Sequence, residues 1–223
     1  MAIRDIFVPL APAINFDAQL DVAARLAQAL NAHVSVVFTR EVMMSSASVP
    51  EMLIAAGVVV EAIEHETKLA ETSAITQFEQ WRSANGLTGA DQDRTRAHAD
   101  AIWHERIGSI ADTIAGVGKV SDLIIIGKPD PYQNLTDEIF KAAIYSTGCP
   151  TVIVPDRLTD DPLAHVLIAW NGSVEAARAV AGAMPMLETA KRVSIFTVPE
   201  NPKTLYHHIG LIEHLEHHGI HAE

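Results

Sequence analysis

Between Ser121 and Lys128 the chain reads Asp122-Leu123-Ile124-Ile125-Ile126-Gly127. The aliphatic run is too short for a helix and leaves neither face of a strand for water, so it predicts a strand covered on both sides. Strands of that kind belong to parallel sheets, joined by crossover helices that pack on both faces. Ile6-Phe7-Val8-Pro9-Leu10, Val34-Ser35-Val36-Val37-Phe38 and Thr151-Val152-Ile153-Val154 repeat the signal.

Amphipathic helices separate these runs. Asn15 and Asp17 offer helix-start chemistry, and Phe16, Leu20, Ala23, Ala27 and Leu30 follow at helical spacing. Residues 43–48 read as a loop. A longer helix places Ile63, Thr67, Ala70, Ala74, Phe78 and Trp81 on one face and stops at Asn85-Gly86. Residues 88–96 read as a polar loop, and a strand is expected near 97–103. Ile107, Ile110, Ala111, Ile114 and Val117 mark a further helix. Thr136 is expected to cap another that turns Ile139, Phe140, Ala143 and Ile144 inward. The β-α-β opening implies a right-handed crossover.

The opening then recurs. Val166-Leu167-Ile168-Ala169 matches Ile6-Phe7-Val8-Pro9 at an offset of 160, and Val193-Ser194-Ile195-Phe196 matches Val34-Ser35-Val36-Val37 at an offset of 159. Ala176, Val180, Ala183 and Leu187 form the helix between. The expected organisation is a complete domain over 1–156, a linker over 157–162 and an incomplete second copy, β-α-β-α, over 163–223. The 59 residues from 165 onward are too few for a whole second domain. The expectation is of a truncated chain whose first strand in that copy has an open, apolar edge.

Three segments together resemble the universal stress protein family. The stretch from Val166 to Val180, through Trp170-Asn171-Gly172-Ser173, resembles its strand-to-helix opening, with Asn171 where an aspartate is usual. Ser121 to Gly127 is similar to its penultimate strand, and Gly148-Cys149-Pro150-Thr151-Val152-Ile153-Val154-Pro155 to its last. The resemblance, to the bacterial tandem type, implies an open, parallel five-stranded α/β sheet flanked by helices, like that of the adenine nucleotide alpha hydrolases. It also implies a homodimer formed through the last strand.

Nucleotide-binding members look like Gly-x2-Gly-x9-Gly-Ser/Thr after the penultimate strand, a loop whose backbone N–H groups cradle phosphates. Here Gly127 fills the first position, Asp130 stands at the second, and Asp137 and Glu138 fall near the Gly-Ser pair. Those carboxylates at a helix start are expected to repel a triphosphate. No bound cofactor is therefore expected in the first domain. Under the alternative, an ATP- or AMP-binding stress module with weak or no hydrolysis, Pro9, Val37, Gly127, Lys128 and Thr136 line the cleft at the carboxyl ends of the strands.

Other features carry bland readings. His207, His208, His214, His217, His218 and His221 crowd the C-terminal segment. The pairs His214/His218 and His217/His221 have the i, i+4 spacing of metal ligands. With Leu205, Ile209, Ile212 and Leu215 as the buried stripe, the histidines are expected on a solvated face and no metal is expected. Gly116-Val117-Gly118-Lys119 leads into a strand instead of following one, so it reads as a helix stop and not as a phosphate loop. Cys149, the one cysteine, permits no intrachain disulfide and reads as a small packed residue. The net charge of −12 argues against nucleic-acid and anionic-membrane partners. With no leader or membrane span in sight, the cytoplasm is the expected place. No acid/base constellation is legible. The function expected is a non-enzymatic stress-response protein acting through contacts with unidentified proteins. A small-molecule enzyme on a related fold is the remaining class.

Overall fold

The computed structural model describes residues 2–12, 14–40, 58–89, 99–157, 160–198 and 207–223, with the side chains of 58–64, 67 and 207 left aside. The expected loop over 43–48 and most of that over 88–96 lie outside the described residues. The chain divides into two compact units: Asp5–Asp156, and Met1–Arg4 with Arg157–Glu223.

In the first unit the elements run β1 (Asp5–Leu10), α1 (Asp17–Leu30), β2 (His33–Arg40), α2 (Val58–Ala84), β3 (Asp100–Ile107), α3 (Ile110–Val117), β4 (Leu123–Gly127), α4 (Asn134–Ser146) and β5 (Thr151–Val154). The sheet is wholly parallel, in the order β3-β2-β1-β4-β5. This is the open, doubly wound α/β sheet that the apolar runs require. Its strand order reverses between β1 and β4.

Alternation along the strands divides the core between two faces. Phe7, Val37, Ile124 and Ile126 pack with Ile110 and Ile114 of α3 and Ile139, Ala142 and Ala143 of α4. On α1, Leu20, Val22, Ala23, Leu26 and Ala27 are buried. Phe78 of α2 meets both Trp81 of its own helix and Trp103 of β3, which stacks on Phe38 at 5.5 Å. Gly86, at φ +64°, stops the chain after α2 in the left-handed region that the Asn85-Gly86 signal anticipates.

β3 starts three residues later than the expected strand and runs on to Ile107, because its ladder to β2 pairs His33 with Asp100 and continues to Arg40 with Ile107. Gly118 sits in a 3₁₀ turn over Gly118–Val120. A Cβ there would lie 2.6 Å from Thr147 Cγ2 and 2.8 Å from Ile124 Cδ1, so this glycine serves close packing and not phosphate binding.

In the second unit the elements are β6 (Val166–Ala169), α5 (Val174–Thr189), β7 (Val193–Phe196) and α6 (His207–His217). Ser173 caps α5 by accepting from the Ala176 N–H at 3.1 Å, and Asn171 holds the preceding turn by accepting from the Ser173 N–H. β6 and β7 pair in parallel. Ala222 makes an isolated parallel bridge with Val193 of β7.

The helices cover one face of this small sheet: Ile168 and Val193 pack with Val180, Met184 and Leu187 of α5 and Leu211 and Leu215 of α6. Among the described residues nothing covers the other face, and Leu167 is 59% and Phe196 57% exposed. On α6 the buried stripe is Leu211 and Leu215, while Ile209 is exposed, which shifts it from the stripe the periodicity suggests; Leu205 lies outside the described residues. No helix among the described residues is long and apolar enough to cross a membrane.

Candidate functional site

In an open α/β sheet, ligands lodge outside the carboxyl ends of the strands, where the strand order reverses. Here that place lies between β1 and β4, and a cleft of about 210 Å³ occupies it. Pro9 borders it near the end of β1, Gly127 at the end of β4, and Lys128 just after it. Asn15 and Gln19 come from the start of α1, Thr136 and Ile139 from α4, and Pro155 and Asp156 follow β5.

Four of the five residues proposed from sequence, Pro9, Gly127, Lys128 and Thr136, therefore share one cleft. Val37 does not join them. It lies on β2, one strand away from the β1–β4 gap, buried in the cluster with Ile110 and Ile114 of α3.

Sequence reasoning missed Gln19. It is 6% exposed, and its amide lies where a Cβ on Gly127 would meet Nε2 at 2.5 Å. A polar residue three positions after Phe16, on the buried side of an otherwise apolar helix stripe, was the available signal. Its Nε2 donates to the Asn15 carbonyl at 3.5 Å.

The loop from β4 to α4 is tied to itself. The Lys128 N–H donates to the Val154 carbonyl at 2.8 Å, and the Asp130 N–H to Thr136 Oγ1 at 2.9 Å. The Tyr132 N–H donates to Asp130 Oδ1 at 2.9 Å and the Gln133 N–H to the Asp130 carbonyl at 3.0 Å. Residues 129 and 131 are prolines and have no N–H to give. From Lys128 to Gln133, every backbone donor is thus spent or missing.

Thr136 has a different part from the one expected. α4 begins at Asn134, so Thr136 lies inside its first turn, where its hydroxyl donates to the Gln133 carbonyl at 2.8 Å. Asp137 and Glu138 also correct the sequence reading, since neither lines the cleft. Asp137 is drawn along the helix surface by Lys141, at 2.7 Å. Among the described residues, the carboxylates that line the cleft are those of Asp130 and Asp156, against one cation, Lys128.

No protein-family model matches the chain, and no curated protein matches it. Among solved structures, a universal stress protein from Archaeoglobus fulgidus DSM 4304 superposes with a TM-score of 0.67 at 15% identity, covering 97% of this chain and 74% of that one. The fold is that of the universal stress proteins. The universal stress protein UspA from Lactobacillus plantarum overlaps less, with a TM-score of 0.49 at 16% identity over 69% of this chain and 99% of its own.

Two further polar features of this universal stress protein fold lie away from the cleft. At the amino ends of the strands, Asp5 accepts from Ser35 Oγ at 3.1 Å, and His33 Nδ1 stands 3.0 Å from Asp100. Burial raises the Asp5 carboxyl above its ordinary value, against the opposing pull of His33 and Ser35. Cys149 donates its Sγ–H to the Ser121 carbonyl at 3.2 Å, and burial, with Asp122 and Asp5 adding to it, pushes its thiol up from 9.0 to about 11. The thiolate is the nucleophile, so at pH 8 Cys149 is expected to react with iodoacetamide about a hundredfold more slowly than an unperturbed thiol. Mass-spectrometric timing of alkylation checks this, and a rate like that of free cysteine would contradict the packed, inert role.

Proposed function

We infer that the chain is a non-enzymatic stress-response protein that works through polypeptide contacts, a second copy of itself first, and that its first unit does not use ATP. The supporting observation is the bare face of the second unit. By the internal repeat, Leu167 and Phe196 stand where Phe7 and Val37 stand in the first unit. There the same positions lie under α3 and α4 and are 0% and 3% exposed. β6 also pairs only with β7 among the described residues, which leaves its other edge open. An apolar face beside an open strand edge is a surface that pairing buries. A twofold dimer lets the same patch serve both partners.

The tied loop supports the second half of the reading. Phosphate cradles need free backbone N–H groups, and residues 128–133 have none to spare. A cleft of about 210 Å³ is also smaller than the ~300 Å³ at which small-molecule sites usually begin. One observation favours the other reading, an adenine-nucleotide module: the cleft sits at the strand-order reversal, where such sheets hold ligands.

Two measurements decide. Light scattering during size-exclusion chromatography is expected to show a dimer that the double substitution Leu167→Ser, Phe196→Ser converts to a monomer. A monomeric native chain, or a dimer that survives the substitutions, removes the support for the contact reading. Calorimetric titration with millimolar Mg-ATP and AMP is expected to give no saturable heat. Saturable binding would overturn the nucleotide-free assignment and favour the second reading.

A further inference from the structure

The C-terminal helix offers two histidine pairs at i, i+4, His214/His218 and His217/His221, which the sequence cannot tell apart. The structure separates them. α6 ends at His217, and Gly219, at φ +74°, turns the chain out of the helix before His221. A helical spacing rule does not apply across that turn. His214 and His218 do meet: their rings lie edge to face with centroids 4.9 Å apart.

A third donor faces them from the neighbouring helix. Glu188, near the end of α5, places Oε1 3.9 Å from His218 Nδ1. That gap is too wide for a hydrogen bond. It is within the span of a metal ion that makes bonds of about 2.0–2.2 Å to an imidazole nitrogen and a carboxylate oxygen. The two helices that carry Glu188 and His214 are fixed to each other by the buried cluster of Leu187, Leu211 and Leu215, and His218 directly follows α6, its N–H donating to the Leu215 carbonyl at 3.0 Å. The donors are thus mounted on packed elements, while their own side chains, 43% and 52% exposed at His218 and Glu188, remain free to adjust. No set of three or more His, Cys, Asp or Glu donors already converges on a metal position among the described residues, so an ion has to draw these side chains the last distance itself.

The geometry points to a surface site for a borderline divalent transition-metal ion, Zn²⁺, Ni²⁺ or Cu²⁺, held by His214 and His218 with Glu188 beside them. Two imidazoles and one carboxylate suit these ions, whereas Mg²⁺ and Ca²⁺ prefer all-oxygen sites. Exposure leaves the remaining coordination positions to water.

The test is calorimetric titration of the full chain with ZnCl₂ and, separately, NiCl₂. His214→Ala, His218→Ala, His217→Ala and His221→Ala are compared, and circular dichroism verifies that each variant keeps its helices. One ion per chain is expected. Loss of a ligand costs at least what loss of an outer-shell partner does, so His214→Ala and His218→Ala are each expected to weaken binding about 10–100-fold. His217→Ala and His221→Ala should change it by less than about twofold, since these side chains lie outside the clamp. Equal losses across all four variants would mean diffuse association with a histidine-rich tail and would overturn the assignment. Unchanged binding in His214→Ala, or no binding by the native chain, would overturn it as well.

Discussion

Phe7→Ala is expected to destabilise the first unit by about 3–5 kcal/mol, the usual cost of emptying a buried aromatic site. Phe7 is fully buried at the centre of the sheet, in the cluster built by α3 and α4, and its strand pairs on both sides with β2 and β4. Whole domains hold only about 5–15 kcal/mol, so this one change removes a large share of the stability. Urea unfolding followed by the fluorescence of Trp81 and Trp103, both in the first unit, reads the effect through a lower midpoint at unchanged slope. The control is Leu167→Ala, the matching position of the repeat in the second unit, followed through the fluorescence of Trp170, which packs against that unit's core. Because Leu167 is 59% exposed, it is expected to cost less than about 0.5 kcal/mol at concentrations where the chain is monomeric. A loss below about 1 kcal/mol at Phe7 would contradict the central packing assigned to it. A comparable loss at Leu167 would mean that something covers the face described as bare.

The contrast between these two positions shows what a sequence states and what it withholds. Apolar runs name buried strands because a strand covered on both faces has no room for polar residues, and β1, β2 and β4 are legible for that reason; β5 carries the same run at the sheet edge, where Ile153 is 43% exposed. β3 is not. Only Ala101 is fully buried along it, and His104, Glu105 and Arg106 interrupt any simple run. Leu167 reads like a core residue, yet its exposure depends on whether helices return over it, and no local pattern encodes that.

The cleft divides along the same line. Pro9, Gly127 and Lys128 follow from the rule that ligands gather at strand ends. Val37 was misplaced because the rule names the end of the sheet without naming the strand pair at which the order reverses. Asp137 and Glu138 were misread because family spacing gave their position in the chain but not their direction on the helix, which the Lys141 partner fixes for Asp137. Asp130 was legible as a missing glycine. Its larger effect, organising a loop with no free N–H between Lys128 and Gln133, depends on hydrogen bonds to Thr136 and Val154 that only the fold brings together.

Leu215→Ala is expected to unfold the second unit while the first stays folded. Leu215 is fully buried in a cluster of eight buried residues, among them Ile168, Leu187 and Ile220. Among the described residues only one face of the sheet beneath is covered, so no second layer of apolar contacts from them shares the load. A single core in a scaffold this small supplies about 3–5 kcal/mol, and truncating a buried leucine costs about 2–5 kcal/mol. The two magnitudes overlap, which makes loss of the fold the expected outcome. Limited proteolysis with mass-spectrometric mapping should show cleavage throughout 163–223 at times when 5–156 remains intact. The same change is expected to abolish the dimer, because the patch around Leu167 and Phe196 exists only while β6 and β7 are held flat against α5 and α6. Native-like protection of 163–223 in the variant would mean that contacts outside the Leu215 cluster hold this unit together. The bare sheet face would then have to be covered, against the exposure of Leu167 and Phe196.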